Sequence, residues 1–129
     1  MKNLVLFLFS IFASNFLMAQ TTPSVEGNID NLPVREYNLI IDKKMVNITG
    51  KEVMGMAINN SIPGPTLRFT EGEYAVIHVN NNLKMEISVH WHGLLLPNFY
   101  DGVPYLNTPP IPSGETFTYE FALKQSGTY

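Results

Sequence analysis

Two of the three histidines in this chain, His90 and His92, are separated only by Trp91, its single tryptophan. Imidazole nitrogen is a ligand for copper, zinc, iron and nickel, so the pair points to metal binding without naming the metal. The preceding residues, Glu86-Ile87-Ser88-Val89, mix β-branched and polar types, and the segment reads as a strand. Side chains alternate on a strand, so His90 and His92 share one face while Val89 and Trp91 share the other. With a rise of about 3.3 Å per residue, the two Cα atoms stand roughly 6.5–7 Å apart. That spacing serves one shared ion or two neighbouring ions, one per histidine. His-x-His also arises by chance, so the surrounding sequence has to carry the assignment.

The first acidic residue after the histidines is Asp101, followed by Gly102. Asp-Gly is a turn signal, and capping a turn is the role its type favours. Orienting a metal-bound histidine or water from behind the ligands is the other role open to it. His78 lies in a segment where Ala75, Ile77 and Val79 form the apolar face, so it reads as a solvent-facing strand residue and not a ligand. Thioether sulfur suits Cu(I), and the chain has six methionines. Met1 and Met18 belong to an apolar leader, however, and Met54 and Met56 read as packing on a strand face. The chain has no cysteine, which excludes disulfides, thiolate metal sites and cysteine nucleophiles.

These residues need a β scaffold. Strands are expected over Glu36–Ile41, Met45–Thr49, Glu52–Ile58, Thr66–Phe69, Tyr74–Val79 and Glu115–Phe121, with turns at short intervals between them. Breakers such as Pro63-Gly64-Pro65 and Asn80-Asn81-Asn82 leave no stretch of helical period. The pattern predicts an all-β domain, an antiparallel sandwich or barrel. Phe117, Tyr119 and Phe121 share one face of the last strand and need a cover. Gln125-Ser126-Gly127-Thr128-Tyr129 ends the sequence without a closing strand, so the isolated chain is expected to be poorly soluble or only partly folded.

At 129 residues there is room for one domain, and 45% hydrophobic with 15% charged residues indicates a globular chain. A net charge of −3 and the absence of any basic run argue against a nucleic-acid partner. Lys2, the apolar run Leu4 to Leu17 and the polar stretch after it read as a secretory signal cut near Ala19. The run is short for a membrane span, so an exported chain, periplasmic or extracellular and free of the membrane after cleavage, is expected. The organisation is a signal peptide over 1–19, a leader over 20–34 and the domain over 35–129. Asn47-Ile48-Thr49 and Asn59-Asn60-Ser61 match the glycosylation acceptor pattern, which is common by chance.

A set of short elements resembles the start of a multicopper oxidase of the laccase and bacterial copper-resistance kind. They are Ile62-Pro63-Gly64-Pro65-Thr66 after Asn59, Gly72-Glu73, Asn81-Asn82-Leu83, His90-Trp91-His92-Gly93, Asp101-Gly102-Val103, Pro110-Ile111-Pro112 with Gly114, Phe117–Phe121 and Gly127-Thr128-Tyr129. Each is weak alone, but they fall in the family's order and spacing over nearly all of the mature chain. The resemblance implies a cupredoxin-like (plastocyanin-like) Greek-key β-sandwich, the first and here incomplete domain of such a protein.

It further implies copper as cofactor, with His90 on the type 2 copper and His92 on one type 3 copper. The full-length protein would couple one-electron oxidation of a small reducing substrate, or cuprous ion, to reduction of dioxygen to water, with further cupredoxin domains in cis. The family continues past Gly-Thr-Tyr with a second His-x-His, and its type 1 copper needs a cysteine. By that pattern this chain carries two of eight cluster ligands and is expected to be inactive alone. Two other readings stay open: a non-enzymatic copper-binding cupredoxin-like module, or an unrelated β protein with one zinc or iron on the His-x-His strand.

Overall fold

The computed structural model describes residues 31–129. The expected signal segment over 1–19 lies outside the described residues, as do residues 20–30 of the leader. Four strands, β1 (Val34–Val46), β2 (Val53–Ile58), β3 (Tyr74–Asn81) and β4 (Thr116–Ala122), form one sheet in the order β2-β1-β3-β4. The only helical element among the described residues' named elements is one 3-10 turn, Asn98–Tyr100.

Alternation builds the centre of the sheet. Ala75, Ile77 and Val79 of β3 are buried and stand opposite Phe121, Tyr119 and Phe117 of β4. On the far side, β1 supplies Leu39 and Ile41, and the loops add Leu83, Ile111 and Leu123 to the same cluster. Complete burial of a side chain such as Phe121 is worth roughly 1.5–3 kcal/mol. A second layer of extended chain crosses this core, tied by the Ile87↔Ile111 bridge, and places Ile87, Val89, Trp91 and Leu94 against it.

Several expectations change. The two strands expected over Glu36–Ile41 and Met45–Thr49 are one strand, with residues 47–49 in the turn that follows. The intervening Asp42-Lys43-Lys44 does not break it, because there β1 and β2 form an exposed ribbon that tolerates charge on both faces. The sheet is mixed and not antiparallel throughout: β1 pairs parallel with β3, from Val34↔Tyr74 to Ile41↔Asn81. Thr66–Phe69 joins no ladder. Its backbone is instead held by Tyr37, whose hydroxyl donates to the Arg68 carbonyl at 2.8 Å and accepts from the Arg68 N–H at 2.9 Å.

The aromatic face of β4 is covered, contrary to expectation. Trp91 meets Tyr119 and Phe121 edge-on at centroid distances of 5.3 and 5.9 Å, and Tyr100 meets Phe117 at 6.4 Å. Met54 and Met56, expected to pack, are exposed. His78 sits on the outer face of β3 as expected, half-buried and bonded to Thr118 and Glu36 at 2.9 and 3.0 Å. Of the two glycosylation triplets, the second has its asparagine amide engaged within the fold. The Asn59 side chain pairs with β1 as a peptide group would, accepting from Ile40 N–H and donating to the Asn38 carbonyl.

Candidate metal centre

His90 and His92 do share a face, although the segment is not a regular strand. Ile87 makes a single bridge, and beyond it Val89 donates its N–H to the Tyr119 hydroxyl at 3.3 Å instead of to a ladder. Trp91 turns inward onto Tyr119 and Phe121, and the flanking histidines turn outward into solvent. Their rings meet edge-on with centroids 5.6 Å apart. Burial pushes the Tyr119 hydroxyl above the usual tyrosine range, so it stays a neutral hydrogen-bonding group beneath the histidines.

Each histidine is held by a different distant segment. His90 Nδ1 lies 2.6 Å from the main-chain carbonyl oxygen of Asp101. A carbonyl only accepts, so Nδ1 carries the proton and donates, which leaves the Nε2 lone pair free for a metal. The Asp101 carboxylate is farther from the same nitrogen, with Oδ1 at 3.7 Å. Asp101 thus does close a turn, its N–H donating to the Asn98 carbonyl at 3.2 Å, and also holds the histidine, chiefly through its backbone.

His92 lies in a turn closed by Leu94 N–H donating to the Trp91 carbonyl at 3.2 Å. Gly93 takes φ of +83° there, a conformation that glycine adopts without steric cost. Gln125, from the tail after β4, clamps this turn from both sides. Its Nε2 donates to the Gly93 carbonyl at 2.9 Å and its Oε1 accepts from Leu95 N–H at 2.7 Å.

Behind His90 stands a support that residue types alone did not reveal. Gly102 packs so closely on the histidine segment that a Cβ there would fall 1.8 Å from the Val89 carbonyl oxygen. Ser88 Oγ donates to the Gly102 carbonyl. The buried Thr108 hydroxyl accepts from Gly102 N–H at 2.7 Å and donates to the Phe99 carbonyl at 2.8 Å. Asp-Gly signalled the turn, but no local signal marks Thr108 or Gln125, whose partners are tertiary.

As a donor set, two imidazoles with accessible nitrogens suit copper. Among the described residues no group of three or more His, Cys, Asp and Glu side chains gathers around a common point. Beside it opens a groove of roughly 830 Å³, walled by the histidines, Leu67, Phe69 and the tail from Gln125 to Tyr129. The Trp91 indole N–H, buried nearby, has no hydrogen-bond partner among the described residues.

By fold this is a cupredoxin-like β domain, the fold of the solved multicopper oxidases on which it superposes. Residues 40–129 match the family model described as multicopper oxidase. The chain is 45% identical over 94 residues to copper resistance protein A of Pseudomonas syringae pv. tomato, covering 73% of this chain and 15% of that protein. It is 43% identical over 110 residues to laccase-1 of Cryptococcus neoformans var. grubii, covering 82% and 18% respectively. The crystal structure of a multicopper oxidase from Pseudomonas thermotolerans superposes with a TM-score of 0.71 at 30% identity, over 74% of this chain and 24% of that one. The chain belongs to the multicopper oxidase family, whose cofactor is copper. It spans less than a fifth of the length of these curated relatives.

Proposed function

We propose that this chain is the N-terminal part of an exported multicopper oxidase, in which His90 and His92 are copper ligands. The observation that carries the reading is the hydrogen bond from His90 Nδ1 to the Asp101 carbonyl, because it commits Nε2 to the outward face shared with His92. His90 is assigned to the type 2 copper and His92 to one type 3 copper of a trinuclear cluster, as the family motif has it. Bound copper supplies one-electron redox chemistry, by which a small reducing substrate or cuprous ion is oxidised and dioxygen is reduced to water.

The chain's own residues hold and aim the ligands. Trp91 anchors the motif in the aromatic core, Asp101 fixes the tautomer and ring plane of His90, and Gln125 sets the turn that carries His92. The groove beside the pair leaves space for further chain, and the remaining ligands are assigned to other cupredoxin domains in cis. Export is read from the Lys2 start and the Leu4–Leu17 run. The domain is assigned to 35–129, with the signal over 1–19.

The test is the copper content and oxygen consumption of the full-length protein and of its His90→Ala/His92→Ala variant. The variant is expected to lose cluster copper and oxygen consumption while a type 1 centre, read by its own absorption, persists. Unchanged copper stoichiometry in the variant would overturn the assignment.

A further inference from the structure

Four methionines lie among the described residues, and three of them stand together. Met45 and Met54 face each other directly across the β1/β2 ladder, and Met56, opposite Lys43, is one step along it. Residues paired across a ladder share a face, as do residues two apart on one strand. Met45, Met54 and Met56 therefore line one face of the ribbon, and they are 49%, 57% and 63% exposed. Methionines placed this way do not fill a core. Each leaves apolar surface in water, at a cost of about 25 cal/mol per Å².

What these side chains offer instead is sulfur. Directly opposed Cβ atoms lie about 4.5–5.5 Å apart and diagonal ones about 7–8 Å, distances that three unbranched, freely rotating thioether arms can close. Thioether is an uncharged soft donor that selects Cu(I) over hard divalent cations. Lys43 shares the face and opposes a cation, but its long stem lets the ammonium swing out to water. The place is separate from the histidines: Met54 and Met56 are on β2, one edge of the sheet, whereas Trp91 packs on β4, the other.

We infer that Met45, Met54 and Met56 form a surface site for a soft monovalent cation, Cu(I), distinct from the His90–His92 pair. The three sulfurs surround one ion, which keeps its charge and oxidation state on binding. A second copy of the chain, or another apolar partner, would value the same face for its area. Leucine keeps that area and removes the sulfur, so it separates the two.

The experiment uses the full-length protein with methionine methyl groups labelled with carbon-13. It is titrated without oxygen with Ag(I), a redox-inert probe of the same charge, and then with Cu(I). The expected result is that the first added ion shifts the methyl signals of Met45, Met54 and Met56 together and leaves exposed Met85 in place. The Met45→Leu/Met54→Leu/Met56→Leu variant should bind one Cu(I) fewer in competition with a chromogenic chelator. That difference should persist in a His90→Ala/His92→Ala background, so failure of the histidine assignment would not affect it. Equal Cu(I) retention by the leucine variant would overturn the site. So would independent, weak shifts of these three signals and of Met85 alike, or a self-association that leucine preserves without metal. The titration of the unsubstituted protein decides the matter even if the triple variant folds poorly.

Discussion

His90 points its Nδ1 proton at the main-chain oxygen of Asp101, 2.6 Å away, and not at the Asp101 carboxylate, 3.7 Å away. A backbone acceptor cannot be titrated or swapped by changing the residue, so the tautomer of His90 is set by where the chain goes, not by an acidic side chain. Asp101→Asn is therefore expected to leave copper retention in the full-length protein within about twofold, a change worth less than about 0.5 kcal/mol. A loss of tenfold or more on that substitution would show that the carboxylate is the working group.

Gly102 governs the same contact by being small. A Cβ there overlaps the Val89 carbonyl oxygen and lies 2.7 Å from His90 Cα, and φ is +88°. Gly102→Ala should cost about 1–3 kcal/mol for the forced shift and about 1–2 kcal/mol for the backbone conformation, and should loosen copper. Gly72→Ala is the control, since φ is +89° there but nothing lies within 4 Å of the added carbon. Equal melting temperatures for the two variants would remove the steric argument.

Thr108 holds Gly102 with one hydroxyl that accepts and donates. Thr108→Val keeps the shape but strands the Gly102 N–H and the Phe99 carbonyl, at about 1–3 kcal/mol for each buried group left unpaired. Denaturant melts should show the loss, Gly102 amide exchange should accelerate, and Thr108→Ser should recover most of both. A fully stable valine variant would mean that the hydroxyl is dispensable.

Arg35 and Glu73 give the domain a signature in acid. The Arg35 guanidinium, 2.7 Å from Glu73 Oε1, and then the Thr70 N–H hold the Glu73 carboxyl below the usual carboxylate range. A carboxyl lower in the folded chain than in the unfolded one adds stability that is fully present above its unfolded value. That stability fades as pH falls through the folded value. Arg35→Met should raise the Glu73 titration and flatten the acid side of a plot of Tm against pH. Parallel curves for variant and parent would rule the pair out as the cause.

Colour offers a test of composition. The intense blue absorption of a type 1 copper needs a cysteine thiolate, and this chain has no cysteine. Copper added to the 129-residue chain should give only weak ligand-field absorption. A strong band of the blue-copper kind would contradict the donor set.

Much of the scaffold could be read from periodicity, and the misses have physical causes. Ala75-Ile77-Val79 and Phe117-Tyr119-Phe121 alternate because each strand buries one face, so β3 and β4 were legible to within a residue or two. The charges at 42–44 read as a break because the pattern assumes a core on one side, whereas Asp42, Lys43 and Lys44 are all solvent-exposed within the strand. Which strand lies beside which is not a local property, so the parallel β1/β3 pairing left no mark in either segment. His90 and His92 were found by type and spacing, and their common face survived the loss of the ladder. Their supports escaped because Thr108, Gln125 and a backbone carbonyl act through tertiary position, and carbonyls are identical at every residue.

The clamp that Gln125 places on the Gly93 turn has a consequence in time. The residues that aim His90 and His92 lie 11 and 32 positions downstream of the atoms they hold, so neither imidazole is aimed until that later chain has been made and has docked. A nascent or unfolded chain presents two ordinary histidines and no preorganised pocket. On the proposed assignment, capture of copper by the pair follows the docking of the β4 strand and its tail.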